Sequence, residues 1–112
     1  MGKLTLVAPE SFQAPVQVPL LGGGFADVTM TFRYRNRDQW NTFINDEMPQ
    51  ISGGAELVVA MCMGWDLEEP FSPDNVEALV CRYEGAPMAI FGVYADEIYR
   101  VRRGNWNRPP AS

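Results

Sequence analysis

The densest group of side chains that could do chemistry is acidic and lies in the middle of the chain. Asp66, Glu68 and Glu69 follow one another closely there. Paired carboxylates can bind a hard cation or carry out general acid–base catalysis. No Asp-x-Asp-x-Asp-Gly loop organises these three, and charge in an exposed connector usually serves solubility. A solvated connector is therefore the preferred interpretation, and a metal-dependent hydrolase is the alternative from the enzyme class.

Cysteine chemistry lacks its usual partner in this chain. The sequence contains two cysteines and no histidine, so a Cys–His nucleophile cannot be built from its side chains. Cys62 and Cys81 both have apolar neighbours in sequence. We predict that both are small, buried hydrophobic residues in a reducing compartment. A disulfide between them stays open, but their spacing does not require one.

No sequence motif indicates nucleotide or phosphate chemistry. Gly22, Gly23 and Gly24 precede a predicted strand instead of opening a helix, which favours a turn over a phosphate-binding loop. The sequence has no Gly-x-Ser-x-Gly elbow, P-loop or dinucleotide fingerprint. We therefore predict that the protein is not an enzyme and uses neither a cofactor nor a metal ion.

Three aromatic residues suggest contacts with other proteins. Trp65 and Phe71 bracket the acidic connector, where they either pin the loop to the core, which we prefer, or anchor a partner. Trp106 lies in a stretch without hydrophobic periodicity. A large exposed ring lowers solubility there unless it packs against the domain or against another protein. Trp40, in contrast, belongs to a helical apolar stripe and is predicted to be a core residue.

Length and charge narrow the classes of partner. The 112 residues fit one domain, predicted over residues 1–103 and followed by a flexible tail at 104–112. A net charge of −5 disfavours nucleic acid, whose binding depends on Lys and Arg. The longest strongly apolar run, residues 57–63, is far shorter than the ~20 residues of a membrane span. The start of the chain resembles no secretory signal, so we expect a cytosolic protein without nucleic-acid or membrane partners.

The first third of the chain reads as β-structure. Residues 26–35 alternate between two faces, which is the pattern of a half-buried strand. The apolar face consists of Val28, Met30, Phe32 and Tyr34. The polar face consists of Asp27, Thr29, Thr31, Arg33 and Arg35. Residues 16–21 are predicted to pair with this strand as a short edge strand limited by Pro15 and Pro19. Residues 4–7 are a candidate third strand.

The remaining two thirds read as about four helices. Asn36 and Gln39 stand in capping-box positions, and Pro49 closes the first helix. Residues 55–63 suit either a buried strand or a helix; we favour a helix that stops at Gly64. Ser72 followed by Pro73 predicts a third helix, which runs to Gly85. The last helix starts near Pro87. The predicted fold is thus α+β, with an N-terminal antiparallel hairpin or small sheet packed against these helices.

The order of several short segments resembles a known family. The segments are Phe32-Arg33-Tyr34-Arg35-Asn36-Arg37-Asp38, Gly64-Trp65-Asp66, Pro70-Phe71-Ser72-Pro73-Asp74-Asn75-Val76 and Tyr83-Glu84-Gly85-Ala86. Over about residues 14–103, this arrangement resembles the small tail assembly chaperones of siphophages. The stretch with Trp106, Pro109 and Pro110 matches no motif of that family.

The resemblance implies a function carried by surface contacts. Such chaperones bind the tape measure protein in the cytoplasm of the infected or lysogenic host and keep it soluble until tail tube subunits polymerise around it. They are absent from the mature virion, can self-associate, and are commonly also made as a longer, frameshifted form. Tail tube protein is then an indirect partner. Our candidate partner-binding residues are Arg33, Arg35, Trp65, Phe71 and Trp106, and an unpaired strand edge is a further candidate surface.

Two other non-enzymatic interpretations stay open. The first is a head–tail connector or tail terminator, which would remain in the phage particle. The second is a generic adaptor domain, which would not be followed by a long tape-measure-like gene.

Overall fold

The chain forms a small sheet whose apolar face is covered by helices. The computed structural model describes the backbone of residues 10–102 and the side chains of residues 10–100. The strands are β1 (Ser11–Pro19), β2 (Phe25–Arg33) and β3 (Cys62–Trp65). The helices are α1 (Arg37–Thr42), α2 (Gly54–Met61), α3 (Pro73–Arg82) and α4 (Ala86–Arg102). The sheet is antiparallel in the order β1-β2-β3. The predicted α+β architecture is confirmed.

The predicted hairpin is present, and its turn depends on glycine. Gly22, Gly23 and Gly24 have φ angles of 90°, 106° and 81°, a region that residues with a Cβ rarely adopt. The strand that follows buries the predicted core face, since Val28 and Phe32 are buried. This strand ends at Arg33, two residues before the predicted end.

The first strand starts at Ser11 instead of residue 16, because its prolines face away from the ladder, and it ends at Pro19 instead of residue 21. Tyr34 N–H donates to the carbonyl of Glu10, and Leu20 N–H donates to the carbonyl of Gly24. In an antiparallel pair such bonds recur at every second residue, so the even-numbered positions of β1 bond to β2. The nitrogens of Pro15 and Pro19 therefore point to the outer edge, where no ladder bond is lost.

The third strand comes from an unexpected part of the chain. Residues 54–61 are helical, as favoured, but the predicted stop at Gly64 is wrong: α2 ends at Met61 and Gly64 lies within β3. The helix needs no glycine cap, because Arg33 donates to the carbonyl of Val59 at 3.3 Å and Arg35 to that of Ala60 at 3.0 Å. After the helix ends, residues 62–65 pair as β3 with the side of β2 that faces away from β1. The candidate strand at residues 4–7 lies outside the described residues, as does the predicted tail.

Helix starts follow the predicted capping residues. Asn36 and Gln39 form the reciprocal capping box at α1, and Ser72 accepts a hydrogen bond from Asn75 N–H at α3. After α1 the chain continues as a widened π turn (Phe43–Glu47) and a 3-10 turn (Met48–Gln50). Trp40 is buried, as predicted, and meets the edge of Tyr94 with ring centroids 5.3 Å apart.

Aromatic rings join the sheet to α4. Phe12, Phe32 and Tyr94 stack with centroid distances of 5.1 to 6.2 Å. Cys62 is fully buried beside this cluster, whereas Cys81 is exposed on α3, so the prediction that both cysteines are buried was wrong for Cys81. The apolar sequence neighbours of Cys81 lie on other faces of α3, which is a single helix with only one side toward the core. Both thiols are free.

Candidate functional site

An apolar groove lies where the turn end of the sheet meets the connector and α3. Its volume is about 410 Å³, which is room for one or two large side chains. Its apolar lining consists of Val18, Ala26, Val28, Trp65, Leu67, Ala78, Leu79 and Tyr83. Most binding pockets are predominantly apolar with a few polar groups that fix orientation. This groove has that composition.

Two of the four strongly polar residues of the groove are acidic. Asp27 belongs to the outer face of β2 and borders the groove at the strand edge, Glu69 contributes from the connector and Arg82 from α3, and Asn75 is the neutral member. The guanidinium of Arg82 lies 5.7 Å from the ring of its neighbour Tyr83. The lining therefore carries one net negative charge, and it belongs to a chain whose net charge is −5. An occupant with a positive charge is favoured on both counts.

The connector that forms one wall is held by specific contacts. Trp65 Nε1 donates to the carbonyl of Glu69 at 2.7 Å, and its ring meets the edge of Phe71 with centroids 5.0 Å apart. Asp66 is fixed against β2, because its carboxylate accepts from Thr29 N–H at 2.9 Å and its own N–H donates to the Thr29 carbonyl at 3.1 Å. Trp65 and Phe71 thus stabilise the loop, and Trp65 also lines the groove.

The acidic cluster is not arranged as a metal site. The Asp66 carboxylate is occupied by the Thr29 N–H. Within residues 10–102, no three His, Cys, Asp or Glu side chains are grouped closely enough to hold a metal ion. The metal-dependent hydrolase interpretation therefore has no support from the geometry of Asp66, Glu68 and Glu69.

The two predicted arginines lie away from the groove, Arg33 at the opposite end of β2 and Arg35 two residues beyond it. Six residues of strand separate Arg33 from Asp27, or roughly 20 Å at about 3.3 Å per residue. Arg33 and Arg35 line a separate polar cleft of about 520 Å³. Only 15% of the Arg35 side chain is exposed; its guanidinium lies 4.1 Å from the Phe43 ring centre and 3.6 Å from a Glu47 carboxylate oxygen. Arg35 is thus engaged in internal contacts.

Three side chains of the described residues have raised pKa values: Cys62, Tyr94 and Cys81. Burial raises the pKa of the Cys62 thiol to about 12, and it also raises the pKa of the Tyr94 hydroxyl. The Cys81 thiol donates a hydrogen bond to the Glu77 carboxylate, and this bond, together with the negative charge of Glu77, raises the pKa of the thiol. All three groups are therefore held in their neutral forms at neutral pH, and none is poised as a nucleophile.

Sequence reasoning missed most of the groove. The helical spacing of Val76, Leu79 and Tyr83 predicts a buried stripe on α3, but Leu79 and Tyr83 are only half-buried and line the groove. Leu67 carried a signal: it is a large apolar residue within the acidic run, and it is 37% exposed. Trp106, the fifth predicted partner-binding residue, lies outside the described residues.

None of the helices within residues 10–102 is long and apolar enough to cross a lipid bilayer. The part of the chain that the structure describes thus offers a helix-covered sheet with an apolar groove and an acidic connector.

Comparison with known proteins gives one family. A family model described as phage tail assembly chaperone matches residues 1–105. No curated protein and no solved structure matches the chain. The matched region includes every described strand and helix, the groove and the connector. The chain therefore belongs to the phage tail assembly chaperone family.

Proposed function

We propose that this chaperone binds the tape measure protein of its phage and keeps it soluble in the host cytoplasm until tail tube subunits assemble around it. The observation that carries the proposal is the family match over residues 1–105. A tail assembly chaperone acts by contact with tail proteins. The tape measure protein is the client that the resemblance to the siphophage chaperones implies.

The groove supports this proposal physically. A chaperone for an aggregation-prone client needs an accessible apolar surface that does not cause its own aggregation. Leu67 and Tyr83 supply such a surface, and the acidic residues Asp27 and Glu69 keep it solvated. No catalytic step enters the proposal, since binding alone keeps a client soluble.

The proposal includes several further elements of the family's function. The unit that binds is residues 1–103, and Arg33, Arg35, Trp65, Phe71 and Trp106 remain candidate contacts. Self-association and a longer frameshifted form would let several chaperone molecules bind side by side along the client. The chaperone would leave before the particle is complete, so that tail tube protein replaces it.

Co-expression with the tape measure protein tests the central claim. We expect the wild-type chain to raise the soluble fraction of the tape measure protein, and Leu67→Asp to abolish most of that gain. Met88→Asp is the matched control, because Met88 is also an exposed apolar residue, at 61%, but lies on α4 outside the groove. Equal solubility with and without the wild-type chain would refute the proposed function.

Mass spectrometry of purified particles separates this proposal from its structural alternative. A chaperone should be absent from the mature virion. A head–tail connector or tail terminator would be found there at a fixed copy number.

A further inference from the structure

We propose that the uncovered half of the β2 edge is a docking site for an extended segment of the client, which adds to the sheet as a strand and places an apolar side chain in the groove. This inference deepens the proposed function, because it specifies the surface used and the chemistry of the segment recognised.

The β2 edge is covered over only part of its length. Pairing with β3 runs from Phe32 to Met30, which lies opposite Trp65. Asp66 then closes the ladder with its two hydrogen bonds to Thr29. Beyond this point no backbone group of residues 10–102 pairs with this side of β2, so the turn end of the strand has no third-strand partner among the described residues.

The open position offers backbone hydrogen-bonding groups. Even-numbered residues of β2 bond to β1, so the N–H and carbonyl groups of odd-numbered residues point to the β3 side. Thr29 uses both of its groups on that side for Asp66. Phe25 and Asp27 have the same orientation, and within residues 10–102 no backbone group pairs with them there. Both residues are exposed to solvent.

The β1 edge of the sheet is protected against strand addition. Pro15 and Pro19 occupy outward-facing positions of β1 and cannot donate a hydrogen bond. No proline occupies β2. Compared with the β1 edge, the uncovered half of β2 is therefore better suited to accept another strand.

Side chains beside this edge define the segment that would fit. Ala26 and Val28 point to the groove side of the sheet and line it, so a residue of an added strand opposite Ala26 would also point into the groove. Its neighbours would lie on the outer face, one opposite Phe25 and one opposite Asp27. The expected segment is thus extended, with a large apolar residue flanked by a Lys or Arg that pairs with Asp27 and by an apolar residue that meets Phe25.

Hydrogen exchange with short overlapping peptides of the tape measure protein tests the inference. We expect peptides of the stated pattern to slow exchange at the Phe25 and Asp27 amides, which are exposed in the free chain. N-methylation at the peptide residues that face β2 should abolish binding. N-methylation at the alternate residues should not, because their N–H groups point away from the sheet.

A pair of proline variants provides the matched control on the chaperone. Asp27→Pro removes one outward N–H of β2 and should weaken peptide binding about tenfold, through the lost hydrogen bond and charge. Gln17→Pro changes the residue directly opposite in the β1–β2 register, and it removes an outward N–H from the other edge. It should leave peptide affinity unchanged. Asp27→Asn keeps the N–H and isolates the contribution of the charge.

Several results would overturn the inference. Protection of helical instead of extended peptides, or equal losses for the two proline variants, would show another mode of binding. Exchange at Phe25 and Asp27 could instead be slow in the free chain. If removal of residues 1–9 or 103–112 made it fast, the edge would be occupied by the chain itself. If dilution made it fast, the edge would be occupied by a second copy. If the tape measure protein is solubilised but none of its peptides protects Phe25 and Asp27, the proposed function survives and this inference fails.

Discussion

The hydroxyl of Tyr94 links α4 to the arginines at the end of β2. It donates to the carbonyl of Arg33 at 2.7 Å and accepts from Nη1 of Arg35, also at 2.7 Å. Arg35 in turn donates to the carbonyl of Ala60 at the end of α2. One phenolic oxygen thus connects a helix, a strand end and a second helix terminus.

Tyr94→Phe should destabilise the fold without changing its shape. The ring stack with Phe32 is kept, but the Arg33 carbonyl loses its donor, and we expect a loss of about 1–2 kcal/mol in the free energy of unfolding. Urea titration measures this loss. Tyr99→Phe is the control and should cost less, because the Tyr99 hydroxyl accepts a longer bond of 3.3 Å from Trp40 and its side chain is more exposed. Equal losses would contradict the role given to Tyr94.

Two glycine substitutions should have opposite signs. A Cβ at Gly54 would lie 2.7 Å from Cγ of Pro87, so Gly54→Ala should destabilise by about 1–3 kcal/mol through overpacking between α2 and α4. A Cβ at Gly92 meets nothing within 4 Å, so Gly92→Ala should stabilise α4 by about 0.5–1 kcal/mol. Thermal unfolding of both variants checks the pair. A stabilising Gly54→Ala would mean that the two helices are not in close contact.

The two thiols should differ in reactivity. Cys81 is exposed and Cys62 is buried, so a thiol reagent should modify one cysteine in the native protein and two in urea. Because Glu77 raises the pKa of Cys81, Glu77→Gln should accelerate that single modification by increasing the thiolate fraction. Mass spectrometry of the native reaction identifies the site. Fast labelling of Cys62 would show that the core around it opens readily.

Stability should decline in alkaline solution. The Cys62 thiol ionises near pH 9 when unfolded but only at about pH 12 when folded. Between these values the native state binds more protons, so the free energy of unfolding falls as pH rises, by up to about 1.4 kcal/mol per pH unit. The raised pKa of Tyr94 adds a decline above pH 10. Cys62→Ala should flatten the slope between pH 9 and 10, measured by urea titration.

A matched variant locates the origin of that slope. Cys81→Ala should change it much less, because Cys81 is exposed and solvent screens its interaction with Glu77. An unchanged slope in Cys62→Ala would place the alkaline transition elsewhere.

Local signals in the sequence predicted the elements that depend on local chemistry. The capping box at Asn36, the start at Ser72 and the buried face of β2 are each determined by residues close together in the chain. β3 was not predictable in this way, because Cys62–Trp65 has no clear alternation and becomes a strand through the free side of β2.

The candidate site was harder to predict than the fold. Arg35 seemed to continue the polar face of the strand, but β2 ends at Arg33, so the alternation no longer determines where Arg35 points. The groove joins β2, the connector and α3, which are distant in sequence. Trp65 was identified because it stands beside an acidic run, whereas Tyr83 could be assigned only to a helix stripe.

The late position of β3 in the chain has a consequence for synthesis on the ribosome. The β1–β2 hairpin closes across a short glycine turn, so it can form as soon as residue 33 has emerged. Its second edge then stays bare until α2 and β3 follow. During that interval the nascent chain exposes a longer version of the edge that the finished protein keeps only beside Phe25 and Asp27. Asp27 lies on that edge, and its negative charge opposes premature pairing with other nascent chains that are being translated from the same mRNA.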